Sequence, residues 1–99
     1  MEKYQSISVA SAWPNVPQLV AEGSHEVLLF NPSVEERATV HFLTTFDGTP
    51  PTLAPVEGII LRPTERLRLP LWHEERLWFA APRIGASTTA VTVFKVSPR

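Results

Sequence analysis

Apolar and polar residues alternate along several short stretches of the chain, and prolines separate those stretches. From position 66 to 71, leucines alternate with Arg66, Arg68 and Pro70, which is the period-two pattern of a strand with one buried face. No stretch carries the apolar spacing of a helix, and a proline inside a helix costs about 3 kcal/mol. The pattern therefore predicts strands at 4–10, 26–30, 37–45, 58–62, 66–71, 76–80 and 88–96.

Turn residues between these stretches predict how the strands are arranged. Asn31-Pro32-Ser33 and Asp47-Gly48 are turn signals that each follow or precede a predicted strand. A parallel sheet needs long, usually helical crossovers, and the chain has no helical pattern to supply them. We therefore expect one domain over residues 1–99, an all-β fold that forms an antiparallel two-sheet sandwich or jelly roll of about seven short strands.

The strand pattern also predicts which strand lies at a sheet edge and which residues form the core. Pro70 has no N–H to donate, so the strand at 66–71 should lie at the edge of a sheet. The segment 73–76 is expected to form one helical turn before the next strand. The residues expected in the core are Val27, Leu29, Val40, Phe42, Leu67, Leu69, Val91 and Val93.

Composition narrows the class of protein. The chain has 99 residues, 43% of them hydrophobic, and a net charge of -1. This is too small for a multidomain enzyme, apolar enough to fold, and without the basic excess that general nucleic-acid binding requires. Cysteine is absent, which excludes a disulfide framework and thiolate chemistry. There is no targeting segment, no apolar run of about 20 residues and no visible repeat of fixed period, so a cytoplasmic location without membrane insertion is expected.

The residues Ser24, His25 and Glu26 are of the types found in a hydrolytic triad, but they are adjacent. Neighbours on a strand point to opposite faces, so His25 leaves the face that Ser24 and Glu26 share, and the base cannot reach the nucleophile. The other histidines, His41 and His73, have no partner at metal-ligand spacing. The four glycines are isolated and form no phosphate-binding loop. No catalytic residue, metal or cofactor is expected.

Large aromatic residues fit two interpretations. The tryptophans at 13, 72 and 78 could fill the core, or some of them could be exposed as stacking platforms and interface anchors. A small sandwich also exposes edge strands, which favour pairing between molecules. We therefore expect a symmetric homo-oligomer with Trp72, Trp78 or Phe79 near a subunit contact.

Two groups of segments resemble a known family. The first reads AEGSHEVLLFN at 21–31 and continues into ATVHF at 38–42. The second reads LRLPL at 67–71, then WFA at 78–80 and AVTVF at 90–94. Together they are similar to the Anabaena sensory rhodopsin transducer family, whose members have a Ser-His-Glu strand that leads to an Asn turn, and an arginine-rich strand. The Ser-His-Glu to Asn segment is the specific part.

The resemblance covers about 13–99 and implies a small β-sandwich or jelly roll that assembles as a homotetramer. The name-giving member is a soluble partner of a photoreceptor, and the wider superfamily is regarded as binding small molecules such as sugars, without enzymatic activity. The family's last strand usually carries His-Thr-Arg, where this chain has Lys95-Val96-Ser97, so a site using that His and Arg is altered or lost. Carried over by position, the implied ligand-binding residues are Trp13, Ser24, His25, Glu26 and Asn31.

Three functions remain open at this level. The leading hypothesis is a non-enzymatic β-sandwich that self-associates and binds a small polar ligand, such as a sugar, or a signalling partner. In it, His25, Glu26 and a nearby aromatic ring would hold the ligand. The second is a structural oligomerisation or adaptor module without a ligand. The third is a small sugar-acting enzyme with Glu22 or Glu26 as its acid, which would need two carboxylates flanking a cleft.

Overall fold

A computed structural model of the protein describes residues 4–96, which form short strands joined by turns. Helical segments within these residues are limited to two 3-10 turns, Glu36–Ala38 and Pro55–Glu57, and none of them is long and apolar enough to cross a membrane. The all-β prediction is confirmed. In chain order the strands are β1 (Tyr4–Val9), β2 (Leu19–Val20), β3 (His25–Phe30), β4 (Val40–Thr45), β5 (Ile59–Leu61), β6 (Arg66–Leu71), β7 (Arg76–Ala80) and β8 (Thr89–Val96).

The strands form two antiparallel sheets of four strands each. The first sheet has the order β1-β8-β3-β6 and the second the order β2-β7-β4-β5. β1 therefore pairs with β8, β2 with β7, β3 with β6 and β4 with β5. A long hairpin that is rolled up on itself produces this pairing, which is the topology of a jelly roll. The predicted two-sheet sandwich is confirmed.

The prediction missed one strand, began another strand too early and expected a helical turn that is not formed. β2 has only two residues, which is shorter than the runs that alternation can detect. β4 begins at Val40, because Glu36–Ala38 forms a 3-10 turn in front of it. The helical turn expected at 73–76 is wrong, since Glu74 has a φ of 68° and Arg76 already belongs to β7.

The core lies between the two sheets. Six of the eight predicted core residues are fully or almost fully buried, while Leu67 and Leu69 are half-buried. The difference follows from the position of β6, which lies at the edge of the first sheet as Pro70 predicted. An edge strand is covered by a neighbour on one side only, so its inward side chains stay partly open to water.

Trp78 and Phe79 are both 0% exposed and lie inside a single chain. β7 is the strand between β2 and β4, and four of its five residues are buried. Phe79 packs against Phe42, with ring centroids 6.2 Å apart, and the Trp78 indole donates to Thr45 Oγ1 over 2.8 Å. Both residues are therefore removed from the expected subunit contact, because they have no surface to contribute.

Candidate functional site

A cavity of about 310 Å³ opens at one end of the sandwich, where β1 and β3 begin and β8 ends, and we call it the mouth cavity. Val27 and Val93 form part of its apolar wall, and β2 borders it from the second sheet. The volume is at the lower end of the range of about 300–1,000 Å³ that is typical of ligand pockets. Among residues 4–96, the polar side chains that line it are Tyr4, Gln5, Glu22, His25 and Lys95.

The register of the first sheet explains why its inner face becomes polar here. Gln5 lies opposite Val93, and Lys95 lies opposite Val27. His25 is two residues before Val27 and shares its face, since side chains alternate along a strand. The apolar inner face therefore ends in an amide, an ammonium group and an imidazole at the open end of the sandwich.

The charged groups of the mouth cavity are available to a ligand. Glu22 and Lys95 are exposed, and over residues 4–96 neither of them takes part in an ion pair. Nδ1 of His25 lies 2.9 Å from the carbonyl oxygen of Gly23. Because a carbonyl can only accept, Nδ1 is the donor there, and the neutral ring keeps Nε2 as an acceptor. The cavity thus combines a cation, an anion and a neutral acceptor.

A tight turn at 72–75 holds the segment that leads into His25. The amide of Glu74 donates to the Ala21 carbonyl over 2.9 Å, and the Ala21 amide donates to the carbonyl of Glu75 over the same distance. The Gly23 amide donates to Nδ1 of His73 over 2.8 Å. His25 therefore enters the cavity from a backbone that is fixed at several points.

A second turn, at 62–65, holds the other end of β3 in the same way. The Thr64 amide donates to the Asn31 carbonyl over 2.7 Å, and the Asn31 amide donates to the carbonyl of Glu65 over 3.1 Å. In each turn the glutamate carboxylate also accepts from the amide three residues earlier, Glu65 from Arg62 and Glu75 from Trp72. The two turns belong to a ten-residue repeat, LRPTERLRL at 61–69 and LWHEERLWF at 71–79, which the sequence analysis missed.

The Ser24-His25-Glu26 segment diverges as alternation predicts. Glu26 lies on the outer face of the first sheet, where its carboxylate is 3.3 Å from the guanidinium of Arg68. The Ser24 hydroxyl accepts from the amide of His73 over 3.3 Å. The three side chains do not converge on one point, so the geometry of a triad is absent from this segment.

The remaining predicted ligand residues are engaged inside the fold. Asn31 is completely buried, and its Nδ2 donates to the carbonyls of Ala38 and Leu61 over 2.9 and 3.1 Å. Its Oδ1 accepts from the amide of Ser33 over 3.2 Å. The Trp13 indole donates to the Leu53 carbonyl over 2.7 Å and does not line the mouth cavity. Of the five predicted ligand residues, His25 alone lines it.

The alternation of apolar and polar residues in β1 and β8 could have indicated two cavity residues that the sequence analysis did not predict. Gln5 and Lys95 are polar residues at the inward positions of otherwise apolar strands, which marks the point where the core gives way to a site. Lys95 also stands where the resembled family usually has histidine, whereas Ser97 lies outside the described residues. Glu22 lies in a loop, and no pattern in the sequence places it near β8.

The fold and the site together define an antiparallel jelly roll with an amphipathic cavity at one end. Among residues 4–96, no group of three or more His, Cys, Asp or Glu side chains is placed to hold a metal ion. Comparisons with protein-family models, with curated proteins and with solved structures found no match. The resemblance to the Anabaena sensory rhodopsin transducer family therefore stays a prediction from the sequence.

Proposed function

We propose that this protein is a non-enzymatic β-sandwich that binds a small polar ligand in the mouth cavity. The observation that carries the proposal is the set of polar side chains that line the cavity beside an apolar wall, among which Glu22 and Lys95 form no ion pair within residues 4–96. Lys95 and Glu22 bring opposite charges, His25 brings an acceptor, and Val27 and Val93 offer an apolar surface. The cytoplasmic location expected from the sequence belongs to the same proposal.

A hydroxyl-rich ligand such as a monosaccharide suits this chemistry. Its hydroxyls can donate to Glu22 and accept from Lys95, and its less polar ring face can lie on the valines. A monosaccharide has roughly 12 non-hydrogen atoms, and at about 0.3 kcal/mol per atom the binding free energy is about 4 kcal/mol. We therefore expect dissociation constants near the millimolar range.

The test is a titration of the protein with glucose, galactose, glucosamine and glucuronic acid, followed by amide chemical shifts. At least one sugar should shift the amides of β3 and β8 next to His25 and Lys95. His25→Gln and Lys95→Gln should weaken that binding about fivefold or more. Arg68→Gln, on the outer face of the same sheet, is the matched control and should leave it unchanged. Binding that is insensitive to both cavity variants would overturn the proposal.

Self-association forms a second part of the proposal, and the edge of the second sheet supports it. β5 is an edge strand of three residues, and Ile59, Ile60 and the nearby Val56 are all exposed. Trp72 is 68% exposed, so its surface is free to contribute to the expected subunit contact. An unpaired strand edge that carries isoleucines favours pairing with a second copy, and the family resemblance suggests a tetramer.

Light scattering at micromolar concentration tests this part directly. The wild-type protein should show a multiple of the 11.1 kDa chain mass, and Ile59→Lys should lower that multiple by adding a charge to the edge. The mass of Trp72→Ala shows separately whether the turn at 72–75 takes part in the subunit contact. A wild-type mass of 11.1 kDa would remove self-association without affecting ligand binding.

The alternatives from the sequence are distinguished by the same measurements. A structural oligomerisation module would show the higher mass but no sugar-dependent shifts. For a sugar-acting enzyme, two carboxylates would have to flank the cleft. Glu22 is the carboxylate that lines the mouth cavity within residues 4–96, while Glu26 lies on the opposite face of the sheet. This placement favours binding over catalysis.

A further inference from the structure

A second cavity, which we call the strand-end cavity, lies on the outer side of the second sheet and measures about 330 Å³. β4 is antiparallel to both β5 and β7, so the start of β4 meets the ends of its two neighbours. Arg62 follows the end of β5, Arg83 follows the end of β7, and Thr39 precedes β4. The topology thus brings two arginines to one cavity from parts of the chain that are 21 residues apart.

The lining of the strand-end cavity carries more positive than negative charge within the described part of the chain. Neither Arg62 nor Arg83 forms an ion pair over residues 4–96. The carboxylate of Glu65 accepts from the Arg62 backbone amide over 2.7 Å. Glu36 also lines the cavity and is the one carboxylate among its lining residues within 4–96. Two arginines against one carboxylate leave an excess of positive charge, which favours an anionic ligand.

A buried histidine forms part of the cavity wall. His41 lines the strand-end cavity and is only 7% exposed, and its Nδ1 has no hydrogen-bond partner among residues 4–96. The backbone of Pro55 and Gly58 lies against the ring, and a Cβ on Gly58 would lie 3.3 Å from the Cβ of His41. Buried polar atoms normally have partners, and this nitrogen is an exception, but it has no exposed surface and is therefore not a contact for a ligand in the cavity.

The remaining wall of the strand-end cavity is apolar. Val56 and Ile60 border it on the side of β5, and Pro63 and Pro82 border it at the ends of β5 and β7. A bare inorganic ion would leave this surface in contact with water. An anion that carries a small apolar group would bury part of it, which adds to the attraction of the arginines.

We propose that the strand-end cavity binds a small organic oxyanion, a carboxylate or phosphate ester with an apolar group. Arg62 and Arg83 hold the oxyanion, and Val56 and Ile60 contact the apolar group. This site is separate from the mouth cavity and does not depend on the function proposed for it. Its affinity should fall as ionic strength rises, because both arginines are exposed.

The experiment is a calorimetric and NMR titration of the full chain with phenyl phosphate, isovalerate and inorganic phosphate. Phenyl phosphate and isovalerate should bind and shift the amides around Arg62 and Arg83. The double variant Arg62→Gln/Arg83→Gln should weaken binding about tenfold or more, since charge-assisted hydrogen bonds are lost. Arg68→Gln, an exposed arginine on the other sheet, should leave the affinity unchanged.

Three outcomes would overturn the proposal. The first is an unchanged affinity in the double variant, provided that its melting temperature shows it is folded. The second is inorganic phosphate binding as tightly as phenyl phosphate, because the apolar wall would then contribute nothing. The third is equal binding of the neutral analogue isoamyl alcohol. The mass of each variant is measured alongside, so that a change in assembly is not mistaken for a loss of binding.

Discussion

At the scale of single residues, the side chain of Asn31 links three separate segments of the chain by hydrogen bonds. Its side chain bonds to the backbone of Ala38, Leu61 and Ser33, and these belong to the segments before β4, at the end of β5 and after β3. The residue is completely buried, so water cannot replace the bonds when they are lost. One amide group thereby joins three segments that belong to both sheets.

Replacing this residue should destabilise the protein strongly. Asn31→Ala leaves the carbonyls of Ala38 and Leu61 without their donor, and each unsatisfied buried group costs about 1–3 kcal/mol. We expect the free energy of unfolding to fall by about 2–4 kcal/mol in urea denaturation. Asn15→Ala, at an exposed asparagine, is the control. A change below about 1 kcal/mol in Asn31→Ala would contradict the role of these bonds.

His41 should make the stability depend on pH. Burial lowers the pKa of His41 below its usual 6.5, while the backbone of Gly58 and Pro55 acts in the opposite direction. The unfolded chain therefore binds a proton at a higher pH than the folded one. The contribution of neutral His41 to the free energy of unfolding is fully present above pH 6.5, and it is lost as the pH falls toward the pKa of His41 in the folded protein.

Chemical denaturation at several pH values measures this effect. The free energy of unfolding should decrease from pH 7 toward pH 5, and His41→Gln should flatten that decrease. Hydrogen bonds from Thr49 lower the pKa of Asp47 below 3.8. Protonation of Asp47 therefore destabilises the protein only at a pH below this range. An identical slope in the variant and in the wild type between pH 5 and 7 would show that His41 does not cause it.

At the scale of elements, the two repeated turns position both ends of β3. Each turn places a residue other than glycine at a positive φ, Thr64 at 64° and Glu74 at 68°. This is the third position of the turn, and Pro63 occupies the second position in one copy, where its fixed φ is favourable. A β-branched residue such as Thr64 is disfavoured there, so part of the stability is given up at this position.

Relieving this backbone conformation should stabilise the protein. Thr64→Gly removes the Cβ at a positive φ, and we expect the free energy of unfolding to rise by about 0.5–1 kcal/mol. Thr52→Gly, at an exposed loop threonine without a positive φ, is the matched control and should lower it slightly. Both values come from urea denaturation. A loss of stability in Thr64→Gly would mean that the side chain contributes more than the φ angle costs.

At the scale of the whole molecule, one hydrophobic core joins the two sheets. Residues of β1, β3 and β8 in the first sheet form a single cluster with residues of β4, β5 and β7 in the second. Almost every connection passes from one sheet to the other, and β4 to β5 is the exception. Loss of packing at the centre should therefore affect both sheets together.

The phenylalanines offer a direct test of this cooperativity. Phe42 is completely buried against Phe79, and Phe42→Ala should lower the free energy of unfolding by about 3–5 kcal/mol. Phe46 lies four residues later and is 62% exposed, so Phe46→Ala should cost much less. Fluorescence of the tryptophans and circular dichroism should report the same midpoint. Separate transitions for the two probes would show that the sheets unfold independently.

The sequence by itself determined seven of the eight strands, their facing and the edge position of β6. Alternation is a property of neighbouring residues, and Pro70 removes a hydrogen-bond donor wherever it stands. The divergence of His25 and Glu26 was determined in the same way, and so was the absence of a triad in that segment. These features depend on positions a few residues apart, which a linear pattern can show.

Only the tertiary structure decided which residues meet. Glu22 and Lys95 come together because β8 runs beside β3, and Arg62 meets Arg83 because β5 and β7 flank β4. Asn31 has the chemistry of a ligand residue, but its burial makes it a structural one. The burial of Trp78 and Phe79 follows from the position of β7 between two neighbours. Long-range pairing sets burial and proximity, and neither is encoded in the spacing of residues along the chain.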